Sequence, residues 1–386
     1  MALKWKSFYY DPRSLPMSCS WINSWEGTSM LIGDYGEIKS FEDLKAEIID
    51  QDLCAGCGTC AAFCEAIEME GDRPKLVGDC ALVRGALKCG TCYEICPKRT
   101  NGDATIIEKF LSKEKTDELF GNYVGIYALR STNAEIAEKA QDGGAVSAII
   151  HYLLSTGTVD CGVISQRDEE WRAFPLVVTA PDDVTKGSGT RYAISPNVEA
   201  LGDAIRDGML RVAFVGTPCQ VKGVRNLQTK LLEKIEKIDI VNIGLFCTEN
   251  FRYDSFIEYM RPRLEEKGLK ITDVTKTEIT KGKFFFRSPK GDVTLKISEL
   301  EPIIPNNCRN CIDFAAELAD ISVGSVGSPD GWSTVITRNE RSDEIIKRMI
   351  EEGLFEVQEE VNLKIIHTLC SKKRERLKAK ETEGGE

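Results

Sequence analysis

From about residue 121 onward, apolar and polar positions alternate in a strand-then-helix rhythm. NYVGIYALR, from Asn122, reads as a strand, and the apolar run AVSAIIHYLL after Gln141-Asp142-Gly143-Gly144 reads as a helix. VDCGVIS, from Val159, is the next strand. RVAFVG (211–216) and IDIVNIGLF (238–246) are unbroken apolar runs of strand length, the pattern of strands buried on both faces. Thr217-Pro218-Cys219-Gln220 and a helix follow the first, and Cys247 follows the second. Phe284 to Arg287 and Val293 to Ile297 read as a hairpin closed by SPKGD. DISVGSVG (320–327) reads as a strand and tight loop, and 332–337 as one more strand. This alternation predicts an α/β domain. The last stretch, SKKRERLKAKETEGGE, is a charged tail expected to fray. Residues 1–50 show no clear period and hold Trp5, Tyr9, Tyr10, Trp21 and Trp25. Such aromatic density suits a docking arm, with packing on the chain's own cysteine-rich region as the other reading.

Composition narrows the class. The chain has 386 residues and a net charge of -11, which argues against a general nucleic-acid binder. No apolar run approaches the roughly 18 residues of a membrane span. The opening MALKWKSFYYDP lacks the apolar core of a signal peptide, so a cytoplasmic location is expected. Against that background, 15 cysteines and only 2 histidines stand out. In a chain without an export signal they point to metal or redox chemistry rather than disulfides. His151 and His367 are far apart in sequence, which disfavours a histidine-based catalytic or zinc site.

Eight cysteines fall between 54 and 96, as Cys54-x2-Cys57-x2-Cys60-x3-Cys64 and Cys80-x8-Cys89-x2-Cys92-x3-Cys96-Pro97. A cubane iron-sulfur cluster needs four thiolates around one body, and two-residue gaps let successive sulfurs point at it. Gly56, Gly58 and Gly90 free the backbone for those turns and for amides aimed at sulfur. The fourth cysteine of each run then serves the other cluster, as in two-cluster ferredoxins. The expected ligand sets are Cys54, Cys57, Cys60 and Cys96 for one 4Fe-4S cluster and Cys80, Cys89, Cys92 and Cys64 for the second. Structural zinc also uses Cys-x2-Cys, but three close cysteines followed by a fourth is a poor tetrahedral pattern. Glu65 stands after Cys64 where ferredoxins usually carry proline, and the eight-residue gap before Cys89 suits a longer-loop variety.

Four more cysteines sit in a second pattern. Cys219 and Cys247 lie just past strand ends, where open α/β sheets form ligand crevices. With Cys308-x2-Cys311 they make enough ligands for a third cluster, although buried core thiols are an equal reading of the spacing alone. Cys19, Cys161 and Cys370 remain as spare thiols. Gly143-Gly144 opens a helix whose free amides suit phosphate, and a simple turn accounts for the pair equally well. Asp142 is a candidate N-cap. Lys186, Gly187, Ser188, Gly189, Thr190, Arg191 and Tyr192 form a polar glycine-rich segment suited to a pyrophosphate or an acidic cofactor; a flexible loop is the alternative. No GxGxxG follows a strand, so a Rossmann-type dinucleotide site is not expected.

VGTPCQ at 215–220, IGLFC at 243–247, CRNCIDF at 308–314, ADISVG at 319–324 and GWSTVITR at 331–338 occur in one order. In these residues the 121–355 stretch resembles the beta subunit of coenzyme F420 hydrogenases and dehydrogenases. With its two-cluster front segment the chain is similar to F420H2 dehydrogenase input subunits and formate dehydrogenase beta subunits. The front half of F420-dependent sulfite reductases has a similar order.

The resemblance implies FAD, coenzyme F420 as substrate, and Cys219, Cys247, Cys308 and Cys311 as ligands of one 4Fe-4S cluster. It implies Gly143, Gly144, Ser147, Lys186, Ser188, Thr190, Arg191, Tyr192 and Thr217 as the flavin-side residues. Ser325 and Asp142 depart from the family pattern. The expected organisation is an extension (1–48), a ferredoxin-like α+β domain (49–115), an FAD-binding F420 oxidoreductase domain (120–355) and a C-terminal segment with the charged tail (356–386). A flavin is the adapter between a two-electron hydride carrier and one-electron clusters. The implied function is hydride exchange between F420 and FAD in an archaeal methanogenesis-type metabolism. Electrons then pass through three clusters to or from ferredoxin or another redox subunit. A related reductase of another substrate, and a ferredoxin-like adaptor without flavin, are the rival readings.

Overall fold

The computed structural model describes residues 38–80, 82, 89–99, 103–232, 237–358 and 360–383. Cys19 and the aromatic residues Trp5, Tyr9, Tyr10, Trp21 and Trp25 lie outside them. Residues from Lys39 onward form one compact unit.

Its centre is an eight-stranded mixed sheet. The strands are β1 (Gly125–Ser131), β2 (Cys161–Arg167), β3 (Ala173–Val178), β4 (Arg211–Gly216), β5 (Asp239–Leu245), β6 (Ile321–Gly324), β7 (Ser333–Thr337) and β8 (Phe355–Gln358). They run in the order β8-β1-β7-β6-β5-β4-β2-β3. β2, β4, β5 and β6 are parallel neighbours, and antiparallel strands flank them on both sides. The two apolar runs read from sequence are β4 and β5, at the sheet's middle. Only Arg211 of β4 is exposed, which is why that strand shows no alternation. The strand expected from Val159 begins two residues later, at Cys161.

Helices cover both faces. On one side lie α1 (Ala145–Ser155) and, further on, α5 (Glu340–Glu351), whose Ile149, Leu153, Ile346 and Met349 are fully buried. Each such side chain contributes roughly 1.5–3 kcal/mol. On the other side lie α2 (Asn197–Arg206) and α3 (Pro218–Lys230). Pro218 opens α3 at a position where its missing N–H costs nothing, and Thr217 caps it in a reciprocal box with Gln220. Beyond α4 (Tyr253–Glu265), a three-stranded antiparallel sheet runs from Lys276 to Lys296. Two of its strands are the expected hairpin, and the third, Lys276–Thr280, was not foreseen.

The cysteine-rich front segment contributes a two-stranded hairpin, Ile67–Glu70 with Arg73–Leu76, and the helical turn Thr91–Glu94. It is pressed against α2 and α3. A Cβ on Gly202 would stand 1.9 Å from Ala62 O, and one on Gly223 2.1 Å from Thr59 Oγ1. Glycine at these two helix positions is what lets the 54–64 loop approach so closely. Before it, Phe41, Leu44 and Ile48 bury themselves around Tyr93 and Cys96.

The charged C-terminus does not fray as expected. Leu363–Glu383 is a helix, α6. Ile366 and Cys370 pack with Phe120 and Phe314. Lys373 is 3% exposed, and Arg376 pairs with the buried Glu249. A run of lysines and arginines looks like a solvated face, but here its cations meet carboxylates and carbonyls of the domain. Among the described residues no helix is long and apolar enough to cross a membrane.

Candidate functional site

The fold collects twelve cysteines into three neighbourhoods. Cys54, Cys57, Cys60 and Cys96 lie within electrostatic reach of one another. They line one common cavity, with Ala55, Thr59, Pro97 and Lys98. Cys64, Cys80, Cys89 and Cys92 form the second group. Cys219, Cys247, Cys308 and Cys311 form the third, lining a second cavity. These are the three sets drawn from spacing and from resemblance. Burial, then the neighbouring thiols, push Cys92 up to about 12; burial with a smaller thiol contribution pushes Cys96 and Cys308 up to about 11. Thiols so crowded and desolvated need a cation to become thiolates. Among the described residues no three such side chains close on a single metal ion.

Each position has a local cause. Gly56 directs its amide at Cys54 Sγ, 3.4 Å away. Thr59 Oγ1 lies 3.1 Å from Cys57 Sγ. Cys219 stands in the first turn of α3, beyond the end of β4, with Thr217 Oγ1 at 3.2 Å from its sulfur. The unpaired amides of that turn favour an anion beside it. Cys247 follows β5 and donates its N–H to Phe314 O at 2.9 Å. Cys308 sits in the helical turn Asn306–Arg309, where the Asn250 amide points at its sulfur from 3.5 Å.

The three groups stand in a series. Cys57 and Cys219 are electrostatic neighbours, as are Cys60 and Cys92. The split group therefore adjoins the first group, and the first adjoins the second. Ala55 and Lys98 lie in the wall common to both cavities.

The flavin-side residues fall into different settings. Gly143 is wedged between strands: a Cβ there would stand 2.3 Å from Leu129 O and 2.5 Å from Ser333 N. Gly144, at φ 72°, is the N-cap of α1, so Asp142 does not cap it as expected; only glycine takes that backbone without strain. Ser147 Oγ lies 3.5 Å from Ser188 Oγ. Thr190 N donates to Gln141 Oε1, and Lys276 Nζ to Gln141 O, both at 3.4 Å. Thus the 141–147 turn, the 186–191 loop and the unforeseen Lys276–Thr280 strand converge.

The Arg191 guanidinium donates to Gly187 O and Lys186 O, but its buried Nε has no partner. Burial and the nearby Arg167 lower it to about 10. Arg167 lies within electrostatic reach of Arg191, its own guanidinium stacked 3.8 Å from the Trp171 ring centre, so the cleft where the three segments converge carries two cations and one unused donor. Lys186 instead pairs at the surface with Asp183 at 2.7 Å. Tyr192 packs on Phe284, ring centres 4.7 Å apart, and Thr217 lines the split cysteine cavity rather than this cleft. Gln141, Arg167 and Lys276 were missed: Gln141 adjoins the double glycine but was given no role, and Arg167 and Lys276 are lone cations with no motif around them. Asp142 is raised by burial and by Glu278 and Asp330 nearby.

The 188–195 segment joins the cleft to the split cavity, since Ile194 and Ser195 line the latter. His367 stacks on Phe120 and reaches Asp117 at 2.8 Å, a packing role. Cys161 and Cys370 are fully buried free thiols.

Residues 126–202 match the model "Coenzyme F420 hydrogenase/dehydrogenase, beta subunit N-term" and 209–362 match its C-terminal counterpart. The chain belongs to the family of coenzyme F420 hydrogenase/dehydrogenase beta subunits. It is 42% identical over 243 residues to coenzyme F420 hydrogenase subunit beta of Methanococcus voltae, covering 62% of this chain and 85% of that protein. It is 32% identical over 341 residues to a subunit of the F(420)H(2) dehydrogenase of Methanosarcina mazei, covering 85% and 91%. That second alignment is too long to omit the whole cysteine-rich front segment. A chain of the xenon-derivatised F420-reducing [NiFe] hydrogenase complex from Methanosarcina barkeri superposes with a TM-score of 0.65. It is 35% identical and covers 70% of this chain and 94% of its own.

Proposed function

We propose that this F420-family chain exchanges a hydride between coenzyme F420 and FAD and passes the electrons singly through three 4Fe-4S clusters to or from a partner redox subunit. The supporting observation is the serial contact of the three cysteine groups, with the anion-receptive cleft at the split end. When bound, FAD supplies the switch between two-electron and one-electron transfer.

The chain's own residues do the rest. Arg191, with Arg167 beside it, holds the anionic part of the cofactor. Ser147, Ser188 and Thr190 offer polar contacts along the same cleft. The family names F420-linked enzymes, and a hydride step needs two rings held in register rather than a side-chain acid or base. Cys219, Cys247, Cys308 and Cys311 hold the cluster nearest the cleft. Cys54, Cys57, Cys60 and Cys96 hold the middle one, and Cys64, Cys80, Cys89 and Cys92 the outer one.

The test is anaerobic. Reduced F420 added to purified protein bleaches the flavin, acid extraction releases FAD, and iron stands near about twelve atoms per chain. Failure to bleach removes F420 as the substrate and leaves a reductase of another substrate. Absence of extractable flavin leaves the adaptor. About four or eight irons contradict three clusters.

A further inference from the structure

Two lysines face the split cysteine cavity. Lys98, two residues after Cys96, donates its ammonium to Asn307 O at 2.8 Å and lies in the wall shared with the first cavity. Lys373, on α6, is 3% exposed and donates to Cys247 O at 2.6 Å and Asp313 O at 2.8 Å. These acceptors are all backbone carbonyls. Asp313 lies within electrostatic reach of Lys373, but its carboxylate accepts the Glu317 amide. A buried ammonium held only by carbonyls is costly unless an anion stands nearby. A 4Fe-4S cluster bound by four thiolates is such an anion, and reduction adds one more negative charge.

The surroundings of the split group and the first group differ. The charges acting on Cys247 and Cys308 include Lys373, and those on Cys308 include Lys98 as well. Cys54 of the first group feels Arg252 and Arg73 against Asp72.

We propose that Lys98 and Lys373 are fixed counterions that raise the reduction potential of the cluster at Cys219, Cys247, Cys308 and Cys311, beside the flavin cleft. This rests on the three-cluster reading. The physical reason is that a cation stabilises the reduced cluster, with its extra negative charge, more than the oxidised one. Lys98 acts at the junction of two clusters, and Lys373 couples the C-terminal helix to the first of them.

The experiment is an EPR-monitored redox titration of the full, reconstituted chain. The variants are Lys98→Met, Lys373→Met and the two arginine replacements. Cys308→Ser assigns the split-cluster signal by its loss. Each methionine variant is expected to lower the reduced-to-oxidised ratio of that signal about tenfold at a fixed potential, equal to ~59 mV for one electron. Arginine variants stay near the parent, and the outer cluster does not move. Should Lys373→Met lose iron, Lys98→Met decides, since it leaves α6 in place. Full iron with a methionine midpoint equal to that of arginine overturns the counterion assignment. A parent chain well short of twelve irons, or no signal lost in Cys308→Ser, overturns the three-cluster reading and the proposal with it.

Discussion

The contiguous and the split cysteine groups are built by different means. Eight cysteines lie within 43 residues, from 54 to 96, and their spacing alone sorts them. The split group spans Cys219 to Cys311 and exists only because β4 and β5 end side by side and the Asn306–Arg309 turn returns to them. α6 closes it through Lys373. A locally encoded site depends on its loop, whereas a site assembled by a sheet depends on the sheet's register and on every element that holds it. Lesions in the domain core are therefore expected to strip the split group and spare the contiguous ones.

The largest effect is expected from a ligand. Cys247→Ser lowers iron from about twelve to about eight per chain and leaves the signals of the two contiguous clusters, by iron assay and EPR. Next comes a core ion pair behind the split group. Arg225 on α3 meets Asp320 at 2.8 Å, with side chains 1% and 14% exposed, and also donates to Leu318 O. Arg225→Met removes the cation and leaves that carboxylate held only by Asn242 N and Asn339 Nδ2, which costs about 3 kcal/mol in denaturant unfolding. Iron loss on mild denaturation then begins at the split group. Asp203→Asn, which removes the surface pair with Arg206 and leaves Arg206 on Ala62 O, is the control and costs about 1 kcal/mol or less.

A third change separates flavin from iron. Arg191→Met weakens FAD binding about tenfold, the size of one lost charge-assisted hydrogen bond, and leaves the iron count unchanged. The smallest effect is on pH. Burial works against the Asp343 carboxylate, but Lys347, Tyr127 and Thr337 hydrogen-bond it and hold its pKa below 3.8. Its contribution is present above that value and fades as pH falls through the lower folded one. Asp343→Asn therefore flattens the acid limb of stability, measured by thermal melts between pH 5 and pH 2, roughly the range of carboxylate titration.

The same contrast explains what was legible in the sequence. β4, β5, α1 and the contiguous cysteine groups announce themselves through unbroken apolar runs or tight spacing. The split group emerged only when family motifs joined Cys219 and Cys247 to Cys308 and Cys311. α6 was misread because its last turns, SKKRERLKAK, carry no apolar stripe; Lys373, Arg374 and Arg376 dock by charge and hydrogen bonding instead. The strand Lys276–Thr280 was missed because KTEIT carries a single apolar residue, Ile279, although Lys276 reaches Gln141. Asp142 looked like a cap because aspartate commonly is one, but Gly143 is locked between β1 and β7, so Gly144 is the cap and the helix begins at Ala145.

The central claim is that electrons reach the contiguous clusters only through the split one. Anaerobic stopped-flow reduction of Cys247→Ser by F420H2 tests it most directly. The expected result is a flavin that bleaches while the clusters of the 54–96 segment stay oxidised on the parent's timescale. Reduction of those clusters at the parent's rate, with the split cluster gone, would contradict the series.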